Sequence, residues 1–160
     1  MMNIITQLKK LARDITSRRQ GVLRLIKEKF PNLPDYVAQD MAYSIFKDNP
    51  KWMDDKYYQE LLGGNWKQEK LQITLDVFNS KTKQQLEQRL KGENPNLVPR
   101  DTERHETQKE LLEKGPSEEP IIVFKTPQGY DLVEGWHRTI QSLLKWPDGY
   151  EQNAWVSYPN

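Results

Sequence analysis

Ile4, Leu8, Leu11 and Ile15 recur at intervals of four, three and four, which is the repeat of one helical face. Lys9, Lys10 and Arg13 fall on the other faces. Ser17 or Gly21 is expected to interrupt this helix, and Val22, Leu25 and Ile26 restart the pattern up to Phe30. Pro31 and Pro34 then force a break. Pro34-Asp35 suits a second start, through the fixed φ of proline and the favourable charge of an acid near an amino end. Tyr36, Val37, Met41, Ile45 and Phe46 carry that stretch to Asn49-Pro50. Asp54 and Asp55 open a short helix with Tyr58, Leu61 and Leu62 as its apolar side, and Gly63-Gly64 close it. Residues 1–65 read as a helical region.

The period then changes. Leu71, Ile73, Leu75 and Val77 alternate with Gln72, Thr74 and Asp76, the pattern of a strand with one buried face. Leu71, Leu75 and Phe78 also fit a helical repeat, but the Ile, Thr, Val and Phe content favours the strand. Ser80 begins a helical run through Leu86 and Leu90 that Gly92 closes. Asn94-Pro95-Asn96 and Pro99 mark a loop, and Thr102 to Lys114 is helical in composition with Gly115-Pro116 as its stop. Ile121 to Phe124 is an unbroken apolar run, which predicts a strand buried on both faces. Pro127-Gln128-Gly129 turns the chain into a partner strand, Tyr130 to Val133. Gly135 ends that strand, Thr139 to Leu144 reads as a helix, and Ala154 to Tyr158 as a closing strand. The class is α+β: a helical region over 1–65 followed by a small mixed-sheet domain over 66–160.

Composition narrows the chemistry. Among 160 residues, five Trp, seven Tyr and four Phe supply large buriable surface although only 36% of residues are apolar. The absence of cysteine excludes disulfides, thiolate metal sites and a cysteine nucleophile. Two histidines, His105 and His137, give no basis for a histidine zinc site, and no metal ligand set is expected. No stretch approaches the roughly 20 apolar residues of a membrane span, and the N-terminus lacks the marks of a secretory signal. A cytoplasmic protein is the expectation. The net charge of +1 is uneven: residues 1–30 hold eight Lys/Arg against two Asp/Glu, leaving −5 for the rest. A basic head on an acidic body points to an anionic partner for the head, either nucleic acid or an anionic membrane surface; a solvated helix face is the plainer alternative.

The stretch richest in chemistry is Tyr130-Asp131-Leu132-Val133-Glu134-Gly135-Trp136-His137-Arg138-Thr139. A strand running through glycine directly into a helix exposes free backbone N–H groups at the positive end of the helix dipole, which suits an anion. Gly135 allows close approach to the backbone. Arg138 can grip a phosphate through two parallel hydrogen bonds, His137 can donate another, and Thr139 offers a hydroxyl. Trp136 could stack on a base or anchor the core, with core packing ahead. Glu119 precedes the Ile121 strand and Glu134 precedes the glycine, so both carboxylates should lie at one end of the sheet. With a nucleotide bound, either could hold Mg²⁺ or act as a base. Glu118 reads as solvated strand entry. Arg100, Asp101, Arg104 and His105 form a second polar cluster.

The run Asn94-Pro95…Pro99-Arg100, a helix ending at Gly115, Pro120-Ile121-Ile122-Val123, a hairpin, and Gly135-Trp136-His137-Arg138 resembles, in order and spacing, the ParB/sulfiredoxin-like superfamily. The resemblance covers about 65 residues firmly. It implies a small mixed-sheet fold in which Gly135, His137 and Arg138 contact nucleotide phosphate, with Arg100 over the ligand and a nucleoside triphosphate with Mg²⁺ as cofactor. Trp136 stands where sulfiredoxin has its catalytic cysteine, so that reaction is excluded. Trp136-His137-Arg138 also departs from the Glu-Arg-Arg of partition proteins. The resemblance thus points to nucleotide or phosphate binding, used for binding alone or for phosphotransfer or hydrolysis. The second reading is a DNA-associated interaction protein that uses residues 1–30, and a third is a fold retained without its chemistry.

Overall fold

The structure, a computed structural model, describes residues 3–92 and 115–160, apart from the side chains at positions 12 and 14–16. The helix expected over 102–114 and the Arg100 cluster lie outside the described residues. The chain divides into two compact units, Met1–Gly64 with Asn160 and Asn65–Pro159.

In the first unit, α1 spans Ile4–Lys29, and the Asn3 side chain caps it by accepting from the Thr6 N–H at 2.8 Å. The break expected at Ser17 or Gly21 does not occur. One interior glycine weakens a helix by only about 1 kcal/mol relative to alanine. The apolar stripe that begins at Ile4 meanwhile runs in phase to Val22 and Ile26, which are buried. The helix α2, Asp35–Ser44, packs along α1 in the opposite direction. Lys27 pairs with Asp35 at one end (2.7 Å), and the Arg19 guanidinium lies 5.6 Å from the centre of the Tyr43 ring at the other. The helix stops at Ser44, short of the expected Asn49, because the chain turns there: the Phe46 N–H donates to the Met41 carbonyl. That turn buries Phe46, whose ring meets Tyr58 edge-on at 5.1 Å. A 3₁₀ turn, Pro50–Asp54, leads to α3, Lys56–Leu62, capped by the Asp55 carboxylate on the Tyr57 N–H. Ile26, Val37, Ala38, Met41, Phe46, Met53 and Leu61 are wholly buried.

The second unit is a mixed four-stranded sheet in the order β1-β4-β2-β3. Its strands are β1 (Asn65–Ile73), β2 (Ile121–Thr126), β3 (Gly129–Glu134) and β4 (Tyr150–Tyr158). The pairs β1/β4 and β2/β3 are antiparallel, and β2/β4 is parallel, with Ile121 opposite Ala154. Helix α4 spans Ser80–Leu90 and α5 spans Trp136–Lys145. The class is therefore α+β, with helices preceding a mixed sheet.

Strand β1 lies earlier than the alternation at 71–77 predicts. It pairs with β4 along its whole length, and that pairing ends where Ile73 meets Tyr150. Leu75–Val77 instead form a 3₁₀ turn that carries Phe78 to a bridge with Tyr130, where the Asn79 N–H donates to the Tyr130 carbonyl at 2.9 Å. β4 also begins before Ala154, because Tyr150–Asn153 continue the ladder with β1. The core gathers Ile73, Phe78, Leu86, Ile121, Val123, Leu132, Ile140, Leu143, Tyr150, Ala154 and Val156. Buried Thr82 ties α4 to β3: its hydroxyl donates to Asp131 at 2.8 Å and accepts from the Leu132 N–H at 3.2 Å.

Candidate functional site

The site lies at the junction of β3 and α5. Gly135 has φ +98°, a left-handed conformation, and a Cβ there would meet Ile121 Cγ2 at 2.6 Å. Glycine is thus demanded twice, by dihedral and by contact. The turn starts α5 at Trp136 rather than at the expected Thr139, so Trp136, His137 and Arg138 form the first helical turn. Gly135 provides no side-chain cap, and that turn contains no acidic residue. Two basic side chains therefore occupy the positive end of a helix dipole, against the usual preference for acids there.

Arg138 is the most constrained member. Its side chain is 13% exposed, and one terminal nitrogen donates to the Glu119 carbonyl (3.3 Å) and to the Pro120 carbonyl (3.1 Å). The other meets the Glu119 carboxylate at 2.9 Å. Glu119 itself is 73% exposed. Gln152 on β4 reinforces the same segment by donating to the carbonyls of Ser117 and Glu119, and Asn153 donates to that of Glu118. Arg138 thus pins the entry to β2 against the start of α5, and Gln152 and Asn153 pin it against β4. The expected phosphate gripper is in fact engaged by oxygens of its own chain, two of them fixed carbonyls and one an exposed carboxylate.

The remaining predicted residues are near but not equivalent. Glu134 closes β3 opposite Ile122 and is half-buried, so it shares the sheet end with Glu119 as the strand order anticipates. Among the described residues, no cluster of three or more His, Asp or Glu side chains has the arrangement of a metal site. Trp136 packs on the core, and the Arg89 guanidinium lies 4.8 Å from its ring centre. His137 is half-buried. Thr139 is fully buried and directed inward.

Two features escaped the sequence reading. Arg89, at the end of α4, reaches the first turn of α5 only through tertiary packing, which no local pattern signals. Behind Arg138 its Nε atom, the hydroxyls of Thr139, Ser142 and Tyr150, and the Gln152 carbonyl oxygen are buried together, with the Thr139 and Ser142 hydroxyls in hydrogen-bonding reach of Tyr150. Burial raises the Tyr150 hydroxyl to about 12, an effect offset in part by the nearby Ser142 and Thr139 hydroxyls and the Arg138 charge.

On α1, Lys9, Lys10, Arg13, Arg18, Arg19 and Arg24 are all exposed. No described helix is long and apolar enough to cross a membrane. Comparison with known proteins produced no match to a family model, to a curated protein or to a solved structure.

Proposed function

We propose that the start of α5 binds the phosphate of a nucleotide or a related phosphate ester. The observation carrying this reading is the oriented, largely buried Arg138 on an uncapped first turn that has no acid of its own. The positive end of a helix dipole and a fixed guanidinium beside it both favour an anion. The exposed Glu119 carboxylate acts as an internal anion on that guanidinium, and a phosphate takes its place by swinging it into solvent. The resemblance of Gly135-Trp136-His137-Arg138 to the ParB/sulfiredoxin-like turn supports the same seat. It also supports a nucleoside triphosphate with Mg²⁺ as the occupant, with Arg100 and His137 as further contacts. Glu119 and Glu134 are the carboxylates available for a reaction at the site.

The test is a thermal-shift and calorimetric titration with ATP, CTP and pyrophosphate, with and without Mg²⁺. Binding that Arg138→Ala weakens by about 10- to 100-fold is expected, the worth of a charged hydrogen bond of about 1.5–3 kcal/mol. Absence of binding by all three probes would refute the reading. A second reading, duplex DNA binding by residues 1–30, is favoured by the row of exposed cations on α1. It requires a steep salt dependence that deletion of those residues removes.

A further inference from the structure

Helix α4 delivers a second guanidinium to the start of α5. The helix runs beside β3 in the strand's own direction. The Asn79 N–H donates to the Tyr130 carbonyl, the Leu132 N–H donates to the Thr82 hydroxyl, and Arg89, near the helix end, reaches Trp136. Trp136 packs against the core, and the Arg89 Cζ lies 4.8 Å from its ring centre, within cation–π range. The ring attracts the charge and restricts the side chain, but it is no substitute for oxygen acceptors on the five N–H donors. Among the described residues no carboxylate or carbonyl accepts from them. Arg138 differs, because three oxygens of its own chain hold it. The end of α4 suits any cation, but this one also stands beside the positive end of α5.

Taking the phosphate seat at Arg138 as given, we propose that Arg89 binds a second phosphoryl group of the same ligand, so that the site selects a di- or triphosphate chain over a single phosphate. Trp136 and Arg138 share the first turn of α5 but leave it on different sides: Trp136 meets α4, and Arg138 meets the entry to β2. Arg89, held on Trp136, and Arg138 therefore flank the helix start. A helix with its side chains is about 10 Å across, too wide for one phosphate to meet both guanidiniums. A chain of phosphoryl groups laid across the turn meets each with its own oxygens. Charge points the same way. The Glu119 carboxylate answers one of the two guanidiniums, and the turn itself contains no acid. A ligand carrying several negative charges balances both cations and the helix dipole together.

The test is isothermal titration of the full chain with orthophosphate, pyrophosphate and tripolyphosphate, without metal and at constant ionic strength. Affinity should rise with chain length, by about 10-fold or more from orthophosphate to tripolyphosphate, the worth of an added charged hydrogen bond. Arg89→Met keeps the apolar stem beside Trp136 and removes the charge. It should abolish the rise and leave orthophosphate binding within about twofold of wild type. Lys91→Met removes an equal charge from the exposed end of α4 and should leave the rise intact. A rise that survives Arg89→Met, one lost equally in Lys91→Met, or orthophosphate and tripolyphosphate weakened alike by Arg89→Met would overturn the role of Arg89 and leave the seat at Arg138 standing. Failure of all three probes to bind the wild-type chain would remove the seat itself, and the second contact with it.

Discussion

Glu119→Gln separates two roles for the same carboxylate. Its oxygen lies 2.9 Å from an Arg138 nitrogen, yet the side chain is 73% exposed. An ion pair with one partner in water is worth about 0.2–1 kcal/mol, and the upper end applies here because the arginine is mostly buried. The neutral amide keeps the shape and removes the charge. If the carboxylate stands in the seat of a phosphate, its charge competes with the ligand. Removing it should tighten phosphate binding by up to that amount, about three- to fivefold in Kd. Folding stability should fall by less than about 1 kcal/mol, since both carbonyl contacts to Arg138 remain. The assay is isothermal titration with pyrophosphate and ATP at low ionic strength, paired with urea unfolding of wild type and variant. The sign decides the matter. A carboxylate that holds Mg²⁺ or acts as a base would make Glu119→Gln bind Mg²⁺–nucleotide more weakly or turn over more slowly. Unchanged or weakened binding of pyrophosphate without metal would refute the competition argument.

Two further outcomes follow from the same junction. Gly135→Ala combines the left-handed backbone penalty of about 1–2 kcal/mol with an overlap against Ile121 costing about 1–3 kcal/mol, so urea unfolding should show a loss of about 2–5 kcal/mol, and a loss below about 1 would contradict the described turn. The Tyr150 hydroxyl, raised to about 12 from an ordinary 10, binds its proton more tightly in the folded chain. Its contribution is complete below pH 10 and declines as pH rises towards 12, by about 2–3 kcal/mol; denaturant midpoints across that range should fall, and Tyr150→Phe should flatten the slope. Tyr158, likewise raised to about 12 by its hydrogen bond to Glu69 and by burial, adds a decline that this substitution leaves in place.

The legible parts of the fold are those in which one local pattern decides. Ile121 to Phe124 is buried throughout, as an uninterrupted apolar run predicts. The Gly63 and Gly92 stops and the hairpin at Gly129 fall where turn chemistry places them. Departures occur where tertiary partners outweigh local signals. Gly21 leaves α1 intact because α2 and the later turns cover the apolar stripe on its C-terminal side. Leu75 and Val77 continue the alternation of β1, but β4 offers no partner beyond Tyr150, and a turn uses the same apolar positions. At the site, the glycine and the two basic residues could be read from sequence. That Arg138 is engaged by Glu119 and Pro120 could not, because those residues lie 19 and 18 positions away and meet it only when β2 forms.

Local rules are broken at the start of α5, and the breaks are adjacent. The first turn of α5 lacks both a capping side chain and an acid. A guanidinium adds charge to the positive end of the dipole. Directly behind it, the hydroxyls of Thr139, Ser142 and Tyr150 are buried together, and burial is the main cause of the raised pKa of the Tyr150 hydroxyl. Each departure opposes folding, whether as like polarity at a helix end or as a desolvated hydroxyl. Helix α4 likewise opens without an acid, with Lys81 and Lys83 in its first turn, but there Asn79 caps the Thr82 N–H, and buried Thr82 bonds to Asp131 and Leu132. On the proposed reading, an anion bound at α5 relieves this like polarity by supplying a countercharge to Arg138 at the positive end of the helix dipole. That relief is measurable: the stability gained on adding pyrophosphate should be larger at low salt and should vanish in Arg138→Ala, whereas a gain that survives the substitution would place the anion elsewhere.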